Sequence, residues 1–401
     1  MPPRPLGALV SALGRISLLV PDAIMARLLP RGRRFDPRTV PAPIAFRSGA
    51  RHRVLIGPEN SAGQAEGWAR ALVAGTVSTD AVAFQVERGS RFQHAVTARV
   101  PAPVFAWSRR WQAAHRRAVL ARATHVLIES GRPVLAGGAR GDVDRDVRDL
   151  LARGIRVAFL WHGSDIRDPD RHAAERASSP YADESWAAVP ALRVSSAAQR
   201  RRARSSPVPS FVSTPDLLDD LPAATWLPLV VDPDRWAGEI TPTAGRPLRV
   251  VHAPSTAVVK GTSLIEPVLT ALAAEGVIEY RRIEGVPHDE MPAVLRGADV
   301  VLEQFRLGSY GVAAVEAMAA GRIVIADIDD RVRERVREQS GRELPIISAS
   351  AADLEGVLRA IVADPAAARD RAAQGPAFVR AVHDGRLAAA VLSSSLGLDG
   401  S

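Results

Sequence analysis

From Arg53 onward the chain alternates short apolar runs with longer stretches in which apolar residues return every three or four positions. Val54-Leu55-Ile56 is the first such run; it enters the loop Gly57 to Gly63 and then a helical pattern through Trp68, Leu72 and Val73. Ala81 to Val86, His125 to Ile128, Val157 to Trp161, Leu192 to Val194 and Phe211-Val212-Ser213 read as further strands. A parallel strand is covered on both faces, so it reads as a continuous apolar run, and the helical stretches between are its crossovers. The alternation pauses at Thr241-Pro242-Thr243-Ala244-Gly245-Arg246-Pro247, whose residue types suit a linker. It resumes with Leu248 to His252, Ile278 to Ile283, Val300-Val301-Leu302 and Ile323-Val324-Ile325. The pattern predicts an α/β protein of two successive doubly wound domains, 51–240 and 248–385, joined by 241–247 and followed by a tail, 386–401. Ligands of such folds collect at the carboxyl ends of the strands, so a cleft between the two domains is the expected site.

The first fifty residues stand apart as an extension. Leu6, Leu9, Val10, Leu13 and Ile16 recur at helical spacing, and Ile24, Met25, Leu28 and Leu29 form a second stripe followed by Arg31, Arg33 and Arg34. Charge interrupts both stripes too often for a membrane span, whereas a basic amphipathic segment suits an anionic membrane surface, here through residues 1–40. A helix packed on the body is the other reading of the same pattern.

Length and composition agree with two soluble domains: 401 residues, 47% hydrophobic and 24% charged. The absence of cysteine removes disulfides, thiolate zinc sites and cysteine nucleophiles, and fits a cytoplasmic setting. The net charge of +8 is concentrated: residues 1–50 hold eight Arg and two Asp, which leaves +2 for the rest. A near-neutral body excludes a nucleic-acid-binding one. No set of His, Asp and Glu has metal-ligand spacing, so no metal and no cofactor is expected.

Of the 52 basic residues only Lys260 is a lysine. Arginine presents a planar fork and lysine a compact point charge, so the exception points to a tight pocket for a phosphate oxygen. Lys260-Gly261-Thr262 follows a predicted strand and loop and opens a predicted helix, which would put helix N-terminal amides beside the ammonium, an arrangement suited to a diphosphate. His162 follows another predicted strand, next to Gly163, and so lies at a strand's carboxyl end.

The segment Gly308-Ser309-Tyr310-Gly311-Val312-Ala313-Ala314-Val315-Glu316-Ala317-Met318-Ala319-Ala320-Gly321 resembles the donor-binding motif of retaining GT-B glycosyltransferases of family four. With Lys260-Gly261-Thr262 and Val286-Pro287-His288-Asp289 the resemblance extends over most of residues 245–390. It continues more loosely through Trp161-His162-Gly163-Ser164-Asp165-Ile166-Arg167 and Ser213-Thr214-Pro215-Asp216-Leu217-Leu218. The implied fold is GT-B, two Rossmann-like domains facing a central cleft, with the acceptor on the N-terminal domain and a nucleotide sugar on the C-terminal one.

The resemblance also implies roles. Glu316 matches the second glutamate of a Glu-x7-Glu motif, which accepts hydrogen bonds from the ribose hydroxyls; a carboxylate in the first helical turn after a glycine-containing loop can take two hydroxyl donors. The first glutamate, used on the donor sugar, would fall at Gly308 and is missing. Glu303 is a substitute for it, and the amides of Ser309, Tyr310 and Gly311 can cradle sugar or phosphate oxygens. The arginine that relatives carry six residues before the lysine is here Pro254, so Lys260 would neutralise the diphosphate with Ser255, Thr256 and Arg306. His162 would face the donor sugar, with Asp165 and Arg167 shaping its loop. Gly57, Asn60 and Gly63 would line the cleft, Thr214 or Asp216 would cap the segment that follows, and His288 and Asp289 belong to a loop that can also contact the base.

The implied function is transfer of a sugar from a nucleotide-diphosphate sugar to a saccharide or lipid-linked acceptor hydroxyl with retention, in cell-envelope polysaccharide or glycolipid synthesis at the inner face of the membrane. A non-catalytic nucleotide-sugar-binding protein and a nucleotide-sugar epimerase are the alternatives on the same architecture. An epimerase would need acid and base carboxylates that the cleft residues do not supply.

Overall fold

The computed structural model describes residues 19–47, 49–89, 94–136, 141–240 and 247–398. The first predicted amphipathic stripe, Leu6 to Ile16, and residues 241–246 of the predicted linker lie outside the described residues. By its contacts the chain forms two compact units, one of residues 1–161, 207–210 and 392–401 and one of 162–206 and 211–391.

Among the described residues twelve strands form two sheets. The first contains β1 (His52–Gly57), β2 (Thr79–Glu87), β3 (Ala98–Pro101), β4 (His125–Glu129), β5 (Arg156–Trp161), β6 (Ser210–Val212) and β7 (Thr225–Trp226), in the order β3-β2-β1-β4-β5-β6-β7. The second contains β8 (Leu248–His252), β9 (Ile278–Arg282), β10 (Val300–Leu302), β11 (Ile323–Ala326) and β12 (Ile347–Ser348), in the order β12-β11-β10-β8-β9. Every pairing whose register is described is parallel, as in Val54 with Ala81 and His125, and Val301 with Val251 and Val324.

The pattern of burial explains why these segments are strands. All five residues of β4, all of β10 and all of β11 are buried, which continuous apolar sequence allows and a one-faced strand would not. The edge strand β9 buries only Ile278 and leaves Glu279, Arg281 and Arg282 outside, and such charges keep an edge from pairing with another chain. Around the second sheet, Val250, Val300, Leu302 and Ile325 pack with Ile265, Leu269 and Leu272 of the helix Thr262–Ala274 and with Leu354, Leu358 and Ile361 of the helix Leu354–Ala363.

One strand expectation fails. Leu192 to Val194 is not a strand but lies inside the helix Val189–Ser205, started by Pro190 in its first turn and burying Val189, Ser196 and Arg200. Three apolar-rich residues are too few to separate the two periods, and the proline, whose fixed φ suits a first turn, decides for the helix. The second N-terminal stripe does form a helix, Asp22–Leu28, but divides: Met25 and Leu29 pack on Trp107, whereas Ile24 and Leu28 are about half exposed. At the other end of the chain residues Arg386–Leu396 form a helix with Ala388, Ala389, Leu392 and Leu396 buried.

Candidate functional site

The second unit carries the site. Its floor is the turn that leaves β10. Gln304 staples this turn from inside: its side-chain oxygen accepts from the amides of Arg306 (3.0 Å) and Leu307 (2.6 Å), and its amide nitrogen donates to the carbonyls of Ser309 and Asp327. Gly308 closes the turn with φ +71°, a region that side-chain-bearing residues rarely adopt. A Cβ there would fall on the Asp329 carboxylate and 2.6 Å from Arg176 Nη2. Those two side chains are themselves an ion pair, 2.5 Å, with Asp327 on the other guanidinium nitrogen at 2.7 Å. The position where the family resemblance expects a glutamate is therefore filled by another ion pair.

From Gly308 the chain passes through Ser309, Tyr310 and Gly311 into the helix Val312–Ala319. The amides of residues 309–311 donate to no described residue, so this turn and the helix N-terminus offer unfilled N–H groups. The Tyr310 ring points away: its hydroxyl is 3.3 Å from Nε2 of His383, whose Nδ1 bonds the Leu229 carbonyl at 2.8 Å. A carbonyl can only accept, so the proton is on Nδ1 and Nε2 accepts from the tyrosine. Of Tyr310, only the backbone can serve a ligand.

The lysine reaches the same place from β8. His252, the last residue of that strand, directs Nδ1 at the Leu302 carbonyl and Nε2 at the Thr262 hydroxyl, both 2.9 Å, and burial depresses its pKa to about 4. This buried neutral imidazole fixes Thr262 against the strand ends. Lys260-Gly261-Thr262 does not open one helix, as its sequence suggests. Lys260 ends the short helix Ala257–Lys260, Gly261 turns the chain at φ +76°, and Thr262 starts the next helix. The glycine is needed twice over, because a Cβ would lie 3.2 Å from both Phe305 and Arg306 side chains. The Lys260 carbonyl accepts from Phe305 N (3.1 Å), and its ammonium bonds Oε1 of Glu303.

Lys260, Glu303, Ser309, Tyr310, Gly311, Thr256, His162 and Gly163 line one cavity of about 340 Å³. His162 follows the last residue of β5, as its sequence context predicts. Asp165 accepts from the amides of His162 (3.1 Å) and Gly163 (2.8 Å) and so shapes this loop. Arg167, also on the wall, forms a buried pair with Asp216, Nη2 to Oδ2 at 2.5 Å. Burial favours a neutral carboxyl, but the guanidinium outweighs it and holds Asp216 below the usual carboxylate range, with the Ser309 and Thr214 hydroxyls beside it. Neither Thr214 nor Asp216 caps the short 3₁₀ turn Pro215–Asp219; Asp216 is the counter-ion of Arg167 instead.

Glu316 lies in the second turn of its helix, not the first. Its Oε1 accepts from His288 Nε2 at 2.8 Å. Arg235 lies 3.4 Å from the other ring nitrogen and 3.3 Å from the His288 carbonyl, and the Trp236 ring meets the imidazole edge-on at 5.4 Å. Burial pushes the Glu316 carboxyl up, with His288 and Arg235 opposing.

Five further expected participants do not line this cavity. Arg306 gives Nη1 to Asp183 (2.7 Å); the Ser185 hydroxyl and this guanidinium depress Asp183 to about 2. Ser255 is exposed and off the cavity wall. In the first unit, Gly57 is small because a Cβ would strike the Phe84 ring, and Asn60 is spent on the Ala95 carbonyl (3.0 Å) and the Glu66 amide (3.3 Å). Gly63, at φ +77°, lets the chain turn beside His94. None of these three lines the cavity.

No protein-family model and no curated protein sequence matches the chain. Among solved structures, sucrose-phosphate synthase from Thermosynechococcus elongatus superposes over 86% of this chain and 98% of its own, with a TM-score of 0.55 at 14% identity. The fold is GT-B. Two further GT-B structures cover the same 86% of this chain at lower similarity. The glycosyltransferase WaaG, involved in lipopolysaccharide biosynthesis, has a TM-score of 0.49 and 14% identity over all of its chain. SnogD from Streptomyces nogalater has 0.42 and 15% over 99% of its chain.

Within the GT-B fold the strand-end turns of the second sheet carry Lys260, Glu303 and residues 309–311. Sequence reasoning missed Gln304, His252 and Arg176, the three side chains that hold those turns in shape. A polar residue ending a buried strand, as His252 does, is the signal that could have found one of them; Gln304 lies two residues past the end of β10.

Proposed function

We propose that this chain is a retaining glycosyltransferase that moves a sugar from a nucleotide-diphosphate sugar to an acceptor hydroxyl. The observation that carries the proposal is the convergence in one cavity of the Lys260 ammonium, the unfilled amides of residues 309–311 and the His162 loop. A diphosphate leaving group develops charge as its bond to the anomeric carbon breaks, and fixed positive groups aimed at it supply most of the catalysis such chemistry needs. The acceptor oxygen bonds to the anomeric carbon on the same face, and its proton passes to the departing phosphate oxygen. Lys260 and the amides neutralise that phosphate, Glu316 takes the ribose hydroxyls, and His162 lies against the sugar. This division of work needs no metal, so turnover is expected to persist in EDTA.

The test is a panel of UDP-, GDP- and ADP-sugars with saccharide and lipid-linked acceptors, read by mass spectrometry, with the anomeric configuration of the product read by NMR. An α-linked product from an α-linked donor supports the proposal. Inversion, or nucleotide binding without turnover on any acceptor, contradicts it and favours the binding-protein alternative.

For the setting we propose the inner face of a membrane and an envelope polysaccharide or glycolipid acceptor. Leu19, Ile24 and Leu28 are 75%, 51% and 49% exposed, amid exposed Arg27, Arg31, Arg33 and Arg34. Apolar side chains beside arginines suit an anionic bilayer surface. No helix among the described residues is long and apolar enough to cross a membrane. Ile24→Glu with Leu28→Glu is expected to abolish sedimentation with phosphatidylglycerol vesicles; unchanged sedimentation removes the idea.

A further inference from the structure

Glu303 is 3% exposed, and its two oxygens differ. Oε1 receives the Lys260 ammonium, and Oε2 is buried with no hydrogen-bond partner. A buried carboxylate oxygen without a donor is unfavourable unless something that binds there completes it. The residue lines the same cavity as Lys260, Ser309 and Gly311.

We propose that Glu303 reads the donor sugar: its free Oε2 accepts a hydrogen bond from one sugar hydroxyl, so that the substrate class is a nucleotide sugar with an uncharged sugar bearing that hydroxyl. This rests on the nucleotide-sugar reading above and adds to it the group that selects the sugar. Three features support it. Lysine has three N–H donors, and Glu303 uses one, which leaves two for the diphosphate. The anomeric carbon joins diphosphate to sugar, so a carboxylate bonded to the phosphate-binding lysine stands beside the sugar. Finally, Gly308 cannot bear a carboxylate, because Asp329 and Arg176 occupy its side-chain space. A uronate donor would bring a second carboxylate against Glu303 and is excluded by like charge.

The experiment uses the full chain. Wild type is assayed with its preferred donor, with analogues lacking one hydroxyl each, and with the corresponding uronate. Glu303→Gln is assayed on the same set, and inhibition by the free nucleoside diphosphate is measured for both. In wild type one deoxy analogue is expected to lose about ten- to hundredfold in kcat/KM, the range for a hydrogen bond to a charged group. In Glu303→Gln the parent donor falls to the level of that analogue, the penalty for the missing hydroxyl disappears, and discrimination against the uronate narrows. Inhibition by the nucleoside diphosphate stays within about twofold.

Wild type that is indifferent to every deoxy analogue overturns the proposal without any variant having to fold. So does a parallel loss of nucleoside diphosphate inhibition and donor turnover in Glu303→Gln, which would mean that Glu303 acts through Lys260 alone. A wild-type chain that binds no nucleoside diphosphate defeats the nucleotide-sugar reading itself, whereas binding with unaltered sugar preference defeats only the sugar subsite.

Discussion

Nε2 of His288 donates a 2.8 Å hydrogen bond to Oε1 of Glu316, a contact between residues 28 positions apart that ties the loop after β9 to the helix Val312–Ala319. The histidine thereby fixes one carboxylate oxygen, and no described residue donates to the other. A half-satisfied, buried carboxylate is poorly suited to stability and well suited to a ligand with hydroxyl donors.

Glu316→Gln is accordingly expected to bind the nucleotide about ten- to hundredfold more weakly and yet to melt higher than wild type at pH 7.5. The sign follows from the carboxyl's raised pKa. Its favourable contribution is fully present below the unfolded value of 4.5 and is lost as pH rises through the higher folded value. The two proteins should therefore converge in Tm near pH 4.5. Calorimetric binding and a pair of melts check both halves.

Restoring the glutamate that the family resemblance expects should do harm. Gly308→Glu forces a side chain into the Arg176–Asp329 pair at a positive φ, and a loss of several kcal/mol in stability is expected, with no gain in turnover. Gly308→Ala, whose Cβ alone already meets Asp329 at the same positive φ, should cost at least about 1–2 kcal/mol and less than the glutamate. Urea titrations separate these values, and a glutamate variant as stable as wild type would show that the pair is not what excludes it.

Five buried histidines, His115, His125, His172, His252 and His383, are depressed by burial to about 4. A depressed histidine contributes stability that is fully present above its unfolded value of about 6.5 and is lost as pH falls toward 4. Asp146, raised to about 6 by burial, and Glu316 and Asp329, which burial also raises, work in the opposite sense but are three groups against five. Tm should fall steeply between pH 6.5 and 4.5, with proton uptake on unfolding measurable by calorimetry in buffers of different ionisation enthalpy. A flat profile across that range contradicts the buried neutral imidazoles.

Much of the fold is legible in the sequence because parallel central strands must be continuously apolar, so β4, β8, β10 and β11 stand out. Their edges do not: β3, β7 and β12 are two to four residues long and exist through pairing, not pattern. Lys260 and the turn at 308–311 could be singled out by residue type and spacing. Their partners could not. Glu303 lies 43 residues from Lys260 and Asp329 lies 21 beyond Gly308, so the ion pairs that shape the site are set by tertiary neighbours that no local period encodes. The same reason turns Arg306 and Asp216 from expected ligand or cap into structural counter-ions.

The most direct test of the account compares single-turnover sugar transfer and nucleoside diphosphate binding in wild type, Lys260→Ala and Lys260→Arg. If Lys260 neutralises a departing diphosphate in a pocket shaped for a point charge, Lys260→Ala loses about a hundred- to thousandfold in the transfer rate. Lys260→Arg recovers little of it, and binding of the nucleoside diphosphate weakens in both. Transfer by Lys260→Ala at the wild-type rate would contradict the account at its centre.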